Sequence, residues 1–262
     1  TEAAKRGMGG KSTSARRRSV AVAAMLPVLA APMGWHPDVR AARAYAAHRP
    51  GRIAFAVQTE RRVWSWRGDA VFPSASVLKA MLLVAYLREP YVRSRPLRRS
   101  ERALLSPMIR RSDDVAATTV RNRIGDGALV RLAHAAGMKR FRPAAIWGLS
   151  QITARDQTRF FLRIDRMMPR RHRAYGMRLL ASVVPSQRWG IGKVAPAGWK
   201  LYFKGGWGSG TGRVDHQVAL LTRGDERVSV AVLTLADGSH AAGQETLRGV
   251  FARLLRQLSS GG

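Results

Sequence analysis

Apolar and polar positions divide the chain into a mixed first part, a helical middle and a strand-rich end. Two β-type runs, 51–58 and 62–66, are separated by three polar residues and predict a hairpin. From about residue 98 to 180, apolar residues recur at helical spacing, which predicts a helical subdomain. The predicted helices before the last strands are 37–48, 101–110, 115–122, 128–136, 153–168 and 170–180.

Strands return near the end of the chain, at 199–204, 214–222 and 228–235. A closing helix over 244–258 carries Leu, Val and Phe side chains at helical spacing. The pattern predicts an α/β protein whose sheet is split in sequence by a helical insertion. We expect the first and last helices to cover one face of that sheet.

One predicted helix, 77–87, is apolar on every side except at Lys79, as is typical of a buried helix. Pro73 and Ser74 favour a helix start that places Ser76 in the first turn, on the same face as Lys79. Burial lowers the pKa of a lysine, so Lys79 is a candidate proton acceptor for Ser76. The alternative is a structural lysine that reaches out of the core.

The composition favours a chemical role for lysine at this position. Only seven of the 46 basic residues are lysine, and arginine cannot give up its proton in a protein. The chain has no cysteine, and its six histidines have no metal-ligand spacing. We therefore expect neither a metal nor another cofactor.

Two further stretches have catalytic character. Ser112-Asp113-Asp114 follows a predicted helix and precedes the next, so a capping role alone is the alternative. Lys204-Gly205-Gly206-Trp207 ends a predicted strand and opens a glycine-rich run. A phosphate-binding loop would need a helix after the glycines, but a strand is predicted there. The run is therefore interpreted as a hairpin beside a site.

The three motifs, Ser-x-x-Lys, Ser-Asp-Asp and Lys-Gly-Gly, occur in the order and spacing of a known set. Over roughly residues 35–262 the chain resembles the serine β-lactamase and penicillin-binding family, nearest to class A β-lactamases. The resemblance implies the three-layer β-lactamase-like fold, with an antiparallel sheet and an inserted helical subdomain at about 98–180. It also implies a β-lactam or a peptidoglycan-related peptide as the substrate.

The resemblance assigns a role to each motif residue. Ser76 would be the acylated nucleophile, Lys79 its proton partner, and Ser112 a relay of a proton to the leaving nitrogen. Lys204 would support that relay and attract the substrate carboxylate. The backbone amides of Ser76 and Trp207 would form the oxyanion hole. Asp114 and Gly206 complete the substrate-binding set.

Some residues depart from the family pattern. Class A enzymes deacylate with a loop glutamate about 35 residues after their second motif, but residues 127–155 hold no carboxylate. We therefore expect slow deacylation. The nearest acid, Asp156, is a second candidate for that role, although its position favours a helix start.

Two substitutions affect the expected substrate contacts. Asp114 replaces an asparagine that donates a hydrogen bond to the substrate, and an ionised aspartate can only accept one. Gly205 replaces a hydroxyl residue that helps to bind the substrate carboxylate. The candidate replacements for that hydroxyl are Ser209, Thr211 and Arg213.

A serine–histidine–aspartate triad is a further alternative for the catalytic machinery. His216 lies beside Asp215 in the sequence. The chain has no Gly-x-Ser-x-Gly nucleophile elbow, however, so a structural histidine in a strand is the favoured interpretation.

The N-terminal segment predicts export. Arg16-Arg17-Arg18 precedes a short apolar run, 20–33, within which Val28-Leu29-Ala30 offers a small-residue cleavage site. We expect residues 1–34 to be a signal peptide and the protein to be secreted or periplasmic. The twin-arginine route and an uncleaved anchor remain alternatives.

The formal net charge of +30 predicts attraction to polyanions, anionic cell-wall polymers among them. No nucleic-acid-binding motif is recognisable, so we expect no specific nucleic-acid partner, and we expect a monomer. The leading hypothesis is an exported serine hydrolase acylated on Ser76. The alternatives are a non-catalytic cell-wall-binding module of the same fold and, third, nucleic-acid binding through charge.

Overall fold

The computed structural model describes residues 35–208 and 210–258, and the predicted signal peptide lies outside them. Five strands form one antiparallel sheet in the order β2-β1-β7-β6-β5. The strands of this sheet are β1 (Arg52–Gln58), β2 (Val63–Trp66), β5 (Lys200–Gly208), β6 (Val214–Arg223) and β7 (Glu226–Leu235). The predicted hairpin and the late strands are thus confirmed, and β5 continues through the glycines to Gly208.

Nine α-helices surround the sheet within the described residues. In chain order they are α1 (Val39–Ala47), α2 (Leu78–Arg88), α3 (Pro90–Arg93), α4 (Arg99–Arg110), α5 (Asp114–Ala135), α6 (Ala154–Leu162), α7 (Ile164–Met167), α8 (Arg170–Ala181) and α9 (His240–Leu255).

The central strands are buried on both faces. In β1, Ile53, Phe55 and Val57 pack in the cluster that includes α1 and α9, whereas Ala54 and Ala56 pack in the cluster that includes α2. Successive side chains of a strand point to opposite faces, so a strand covered on both sides is apolar at every position. This explains the continuous apolar run that predicted β1.

The sheet is the middle of three layers. Helices α1 and α9 pack together on one face, as predicted, and the helical insertion covers the other. Helix α2 precedes the insertion in the chain and packs in the same core cluster, and each residue from Leu78 to Leu87 is at most 2% exposed. Because α2 has no exposed side, it can hold a polar group only where that group finds internal partners.

The prediction of helices only between 98 and 180 is wrong at one point. A short strand β4 (Gln151–Ile152) pairs with β3 (Phe72–Pro73), directly before Ser76. Elsewhere the predicted boundaries shift. Helix α5 joins two predicted helices across a kink at Gly125, whose φ is 68°, and the predicted helix over 153–168 is broken into α6 and α7.

Among residues 35–208 and 210–258, no helix is long and apolar enough to cross a bilayer. The same part of the chain has no cluster of three or more histidine or acidic side chains suited to a metal ion.

Candidate active site

Ser76 lies in a tight turn that leads into the buried helix α2. The turn is a 3-10 helix over Ala75–Val77, so Ser76 precedes α2 and does not stand in its first α-helical turn. Ala75 has a φ of 42° in the left-handed region, which costs a non-glycine residue about 1–2 kcal/mol. The backbone N–H of Ser74 donates to the carbonyl of Ser150 at 2.8 Å and ties the turn to the segment beside β4.

The side chain of Lys79 is in direct contact with the Ser76 hydroxyl. Its Nζ lies 2.8 Å from Oγ of Ser76 and 2.5 Å from the carbonyl oxygen of Ser112, and the side chain is fully buried. Burial lowers the pKa of Lys79, whereas the hydrogen bond and negative charge of Asp114 act in the opposite direction. The structure therefore brings the predicted nucleophile and its proton partner into direct contact.

Asp114 lies directly against the buried Lys79. Its Oδ1 lies 2.5 Å from Nζ of Lys79, and its side chain is 75% exposed. A carboxylate here accepts a hydrogen bond from the lysine and offers no donor to a ligand. Asp114 is thus a partner of the buried lysine at the mouth of the site.

Ser112 links the two lysines of the motifs. Its Oγ lies 3.1 Å from Nζ of Lys79 and 2.9 Å from Nζ of Lys204, and its φ of 60° turns the chain sharply between α4 and α5. The helix cap is supplied by its neighbour, since Oδ1 of Asp113 accepts from the backbone N–H of Ala116 at 2.7 Å. Asp113 therefore caps the helix, whereas the adjacent Ser112 belongs to the candidate site.

Lys204 is fully buried in β5. Besides Ser112, its Nζ donates to the carbonyl of Gly205 at 2.6 Å. Burial, and then the nearby charge of Lys79, lower the pKa of Lys204 well below its ordinary value. Two lysines with lowered pKa values thus meet at one serine hydroxyl.

Gly206 lets the strand approach the Ser76 turn. A Cβ atom at Gly206 would lie 2.8 Å from the backbone nitrogen of Val77 and 2.9 Å from that of Ser76, closer than real side chains allow. Only glycine permits this contact. The next residue, Trp207, stacks its ring on His240 with centroids 5.9 Å apart. This contact packs the Trp207 ring against the start of α9.

The comparisons with known proteins show the family and the fold of this chain. A model described as the Beta-lactamase enzyme family matches residues 92–258, which is more than half of the chain. The chain belongs to the β-lactamase enzyme family. Its family and fold are those of serine hydrolases of the β-lactamase type, which are associated with β-lactam or peptide substrates.

Solved β-lactamase structures share this fold at low sequence identity. The β-lactamase from Sphaerobacter thermophilus superposes with a TM-score of 0.72 at 18% identity, covering 85% of this chain and 98% of that one. An ancestral class A β-lactamase gives a TM-score of 0.68 at 19% identity, with 82% and 97% covered. A variant of the chromosome-encoded β-lactamase of Vibrio parahaemolyticus gives 0.69 at 17% identity, with the same coverage. No curated protein matches the chain.

Trp147 is a site residue that the sequence reasoning missed. It falls about where the spacing of class A β-lactamases would place the loop glutamate, and Nζ of Lys79 lies 5.1 Å from its ring centroid. Its indole N–H donates to Oγ1 of Thr118 at 3.1 Å, which ties the loop to α5. Counting forward from Ser112 along the family pattern would have found it.

Asp156 is occupied by structural bonds. It is 1% exposed, and its carboxylate accepts backbone N–H bonds from Lys139 at 3.0 Å and Arg140 at 2.8 Å, together with Arg159 at 3.1 Å. Thr153 caps the same helix start. Through these bonds Asp156 anchors the loop, which agrees with the helix-start interpretation.

His216 is bonded on both ring nitrogens by the backbone. Nε2 donates to the carbonyl of Pro73 at 2.8 Å, and Nδ1 accepts from the N–H of Thr234 at 3.1 Å. Burial lowers the pKa of His216 to about 4, so it is neutral at pH 7. The histidine joins β6 and β7 to the segment before Ser76 and is not part of a triad.

The neighbouring Asp215 forms a second cluster that the sequence did not predict. Its Oδ1 lies 2.6 Å from Nδ1 of His240, the histidine on which Trp207 stacks. Burial and the carboxylate of Asp237 raise the pKa of Asp215 to about 8. No local pattern connects these residues, which lie on two strands, on the loop after β7 and at the start of α9.

The three candidate replacements for the missing hydroxyl lie between β5 and β6 in the sequence. Ser209 lies outside the described residues. Oγ1 of Thr211 donates to the carbonyl of Gly208 at 3.3 Å. Arg213 has a φ of 54° and lines a cavity of about 280 Å³ together with Trp207. Arg213 therefore has the better position for contact with a ligand beside β5.

Proposed function

We propose that this protein is a serine hydrolase that is acylated on Ser76 by a β-lactam or a peptidoglycan-related peptide and that deacylates slowly. The observation that carries this conclusion is the 2.8 Å contact between Oγ of Ser76 and Nζ of the fully buried Lys79. A serine beside a lysine whose pKa is lowered by burial is an activated nucleophile.

Acylation must take a proton from Ser76 and deliver one to the leaving nitrogen, and the contacts of the site support this route in three transfers. Neutral Lys79 accepts the proton of Ser76 as Oγ attacks the carbonyl carbon of the substrate. The carbon–nitrogen bond then breaks, and the nitrogen takes the proton of the Ser112 hydroxyl. Ser112 recovers a proton from Lys79, whose Nζ lies 3.1 Å from its Oγ. Lys204, 2.9 Å from the same oxygen, holds that hydroxyl in place.

The negative charge that develops on the substrate oxygen would be stabilised by the amides of Ser76 and Trp207. The contact of Gly206 with the Ser76 turn supports this assignment, since it brings β5 and the turn together without an intervening side chain. One such donor is worth about 2.7–4 kcal/mol in the transition state.

Slow deacylation follows from the groups around Lys79. Water needs a base to attack the acyl-enzyme, and the family position of that base falls near Trp147, an aromatic side chain. Asp156 is bonded to backbone amides, and Asp114 is paired with Lys79. The acyl group is therefore expected to persist.

Export completes the proposal. Residues 1–34 combine an arginine cluster with a short apolar run, which supports a signal peptide and a location outside the cytoplasm. There the positive charge of the chain would meet anionic cell-wall polymers, and the substrate would be a wall-related peptide or an antibiotic.

A second candidate function is a non-catalytic cell-wall-binding module. The observation in its favour is the pair of Lys79 with Asp114, because the carboxylate helps the lysine to keep its proton. A protonated Lys79 cannot act as a base. This candidate predicts salt-sensitive sedimentation with purified cell wall that is unchanged in Ser76→Ala.

Intact-protein mass spectrometry after incubation with benzylpenicillin tests the leading proposal. We expect a penicilloyl adduct on the wild type and none on Ser76→Ala. The adduct should persist after free penicillin is removed. Ser106→Ala, at a serine of α4, is the matched control and should be labelled like the wild type.

Three outcomes would contradict the proposal. An adduct on Ser76→Ala would show that another group is the nucleophile. Rapid hydrolysis of nitrocefin by the wild type would refute slow deacylation while leaving the nucleophile in place. Absence of both labelling and turnover would favour the binding module.

A further inference from the structure

A cavity of about 480 Å³ lies at the other end of the sheet from Ser76. It is bounded by the β1–β2 turn, the β6–β7 turn, the residue before β5 and the end of the C-terminal helix. Trp199 precedes β5, seven residues before Gly206. A strand rises about 3.3 Å per residue, so the cavity is about 20 Å along β5 from the candidate active site.

Three tryptophans form much of the cavity wall. Trp35 and Trp64 meet edge to face with ring centroids 6.1 Å apart. Trp199 is the third, and the guanidinium of Arg223 lies 4.9 Å from its ring centroid. Indole rings present large apolar surfaces with one polar edge, so they suit ligands that have both apolar faces and hydrogen-bonding groups.

The same wall contains buried donors that lack partners. Within the described residues, five buried side-chain nitrogen or oxygen atoms have no hydrogen-bond partner in the protein. Two of the five are indole nitrogens of residues that line this cavity, Nε1 of Trp35 and Nε1 of Trp199, and a third, Nε of Arg227, lies 3.7 Å from a carboxylate oxygen of Glu60. Unpaired buried donors are costly and rare, so their concentration at one cavity points to acceptors supplied by a ligand.

The charges of the rim are balanced. Three carboxylates and three guanidinium groups line the cavity, and these residues are Glu60, Asp225, Glu226, Arg61, Arg62 and Arg227. Several are paired with one another or with neighbours, as Arg227 is with Asp165 at 2.5 Å. The carboxylates would repel an anion, and the arginines would repel a cation. A neutral ligand with both donors and acceptors fits all six.

We propose that this cavity is a binding site for a neutral saccharide of one or two rings. The C–H faces of the sugar rings pack against the indoles, and the hydroxyls donate to Glu60 and Glu226. Ring and hydroxyl oxygens accept from the indole N–H groups of Trp35 and Trp199. The volume is within the range of about 300–1,000 Å³ that is usual for small-ligand sites.

Nuclear magnetic resonance of the seven indole N–H groups in the full-length protein tests the proposal. The probes are N,N′-diacetylchitobiose and cellobiose. We expect saturable shifts of the Trp35, Trp64 and Trp199 signals, with Trp147 and Trp207 unmoved. An acidic disaccharide, digalacturonate, should bind more weakly than either neutral probe.

Variants separate a hydrogen-bonding site from unspecific contact. Trp199→Phe keeps an aromatic ring but removes the N–H, and we expect affinity for the bound disaccharide to fall at least about tenfold. Trp66→Phe, the same change outside the cavity wall, should bind like the wild type. Ser76→Ala should also bind normally, so the result is independent of the proposed acylation.

Three results would overturn the proposal. One is the absence of any shift at Trp35 and Trp199 up to about 10 mM sugar, a concentration beyond most specific affinities. Another is a shift confined to Trp147 or Trp207, which would place the sugar at the active site. The third is binding of 8-anilinonaphthalene-1-sulfonate at these indoles without binding of any saccharide, which would make this a site for aromatic anions. The wild-type titration decides all three, whatever the stability of the variants.

Discussion

The carboxylate of Asp114 lies 2.5 Å from Nζ of Lys79, although the lysine is fully buried and the aspartate side chain is 75% exposed. Burial lowers the pKa of Lys79, and the hydrogen bond and charge of Asp114 raise it. An exposed residue thus controls how readily a buried base takes up a proton.

Asp114→Asn should increase acylation at neutral pH. The amide removes the negative charge that raises the pKa of Lys79, so the pKa falls further and more of the lysine is neutral. The acidic limb of the acylation rate against pH should therefore move to lower pH. Stopped-flow acylation with nitrocefin measures this limb. Asp126→Asn, the same change elsewhere on α5, should leave it in place, and an unmoved limb in Asp114→Asn would contradict the assignment of Lys79 as the base.

Gly206→Ala should abolish most acylation, whereas Gly205→Ala should not. A Cβ at Gly206 meets the backbone nitrogens of Ser76 and Val77 at 2.9 and 2.8 Å, but a Cβ at Gly205 meets only Trp189 and Gln217 at 3.4 Å or more. Displacement of one oxyanion donor lowers the rate about 10²- to 10³-fold. Acylation rates of the two variants measure the difference, and equal rates would argue against the proposed oxyanion hole.

Two variants of Ser112 separate the role of its hydroxyl from the effect of its backbone conformation. Ser112→Ala and Ser112→Gly both remove Oγ, so acylation should fall about 10²- to 10⁴-fold in each. The φ of 60° favours glycine, so the Gly variant should be more stable than the Ala variant by about 1 kcal/mol. Denaturant unfolding together with acylation rates checks both parts. Normal acylation in either variant would remove Ser112 from the proton route.

Asp156→Asn should lower stability without changing deacylation. The buried carboxylate accepts backbone bonds from Lys139 and Arg140, and bonds to a charged group contribute about 1.5–3 kcal/mol. Urea unfolding should show a loss of that size. The lifetime of the penicilloyl adduct should equal that of the wild type. A longer lifetime would identify Asp156 as the base that activates water for deacylation.

Asp215→Asn should make the protein relatively more stable as pH rises. Burial, followed by the charge of Asp237, raises the folded-state pKa of Asp215 from 3.8 to about 8. Protonated Asp215 thus stabilises the fold below about pH 4, and this contribution is lost as pH approaches 8. The melting temperature of the variant minus that of the wild type should increase between these values, at about 2–4 °C per kcal/mol. A difference that stays constant with pH would contradict the raised pKa.

Much of the fold was accessible from local patterns. The apolar run after Ser76 predicted a buried helix, and the structure leaves Leu78 to Leu87 without an exposed side. The order of strands and helices followed from periodicity, since each element must bury its own apolar face. Boundaries were less accessible, because the pairing of Gln151–Ile152 with Phe72–Pro73 joins residues that are distant in sequence.

The motif residues were also recognisable from sequence, because spacing along one element fixes which side chains share a face. Ser76 and Lys79 are three residues apart and meet at 2.8 Å. Their meeting with Lys204 at the Ser112 hydroxyl was expected only through the family resemblance, since these residues come from separate elements.

The sequence by itself predicted the candidate nucleophile and the lysine beside it, and determined the burial of the helix that carries the lysine. Tertiary structure alone decided that Asp114 pairs with Lys79, that Trp147 lies over the lysine, and that three tryptophans enclose a distant cavity. The physical reason is that backbone periodicity acts over a few residues. Contacts between separate elements depend instead on how the whole chain packs, and on the rotamers that this packing permits.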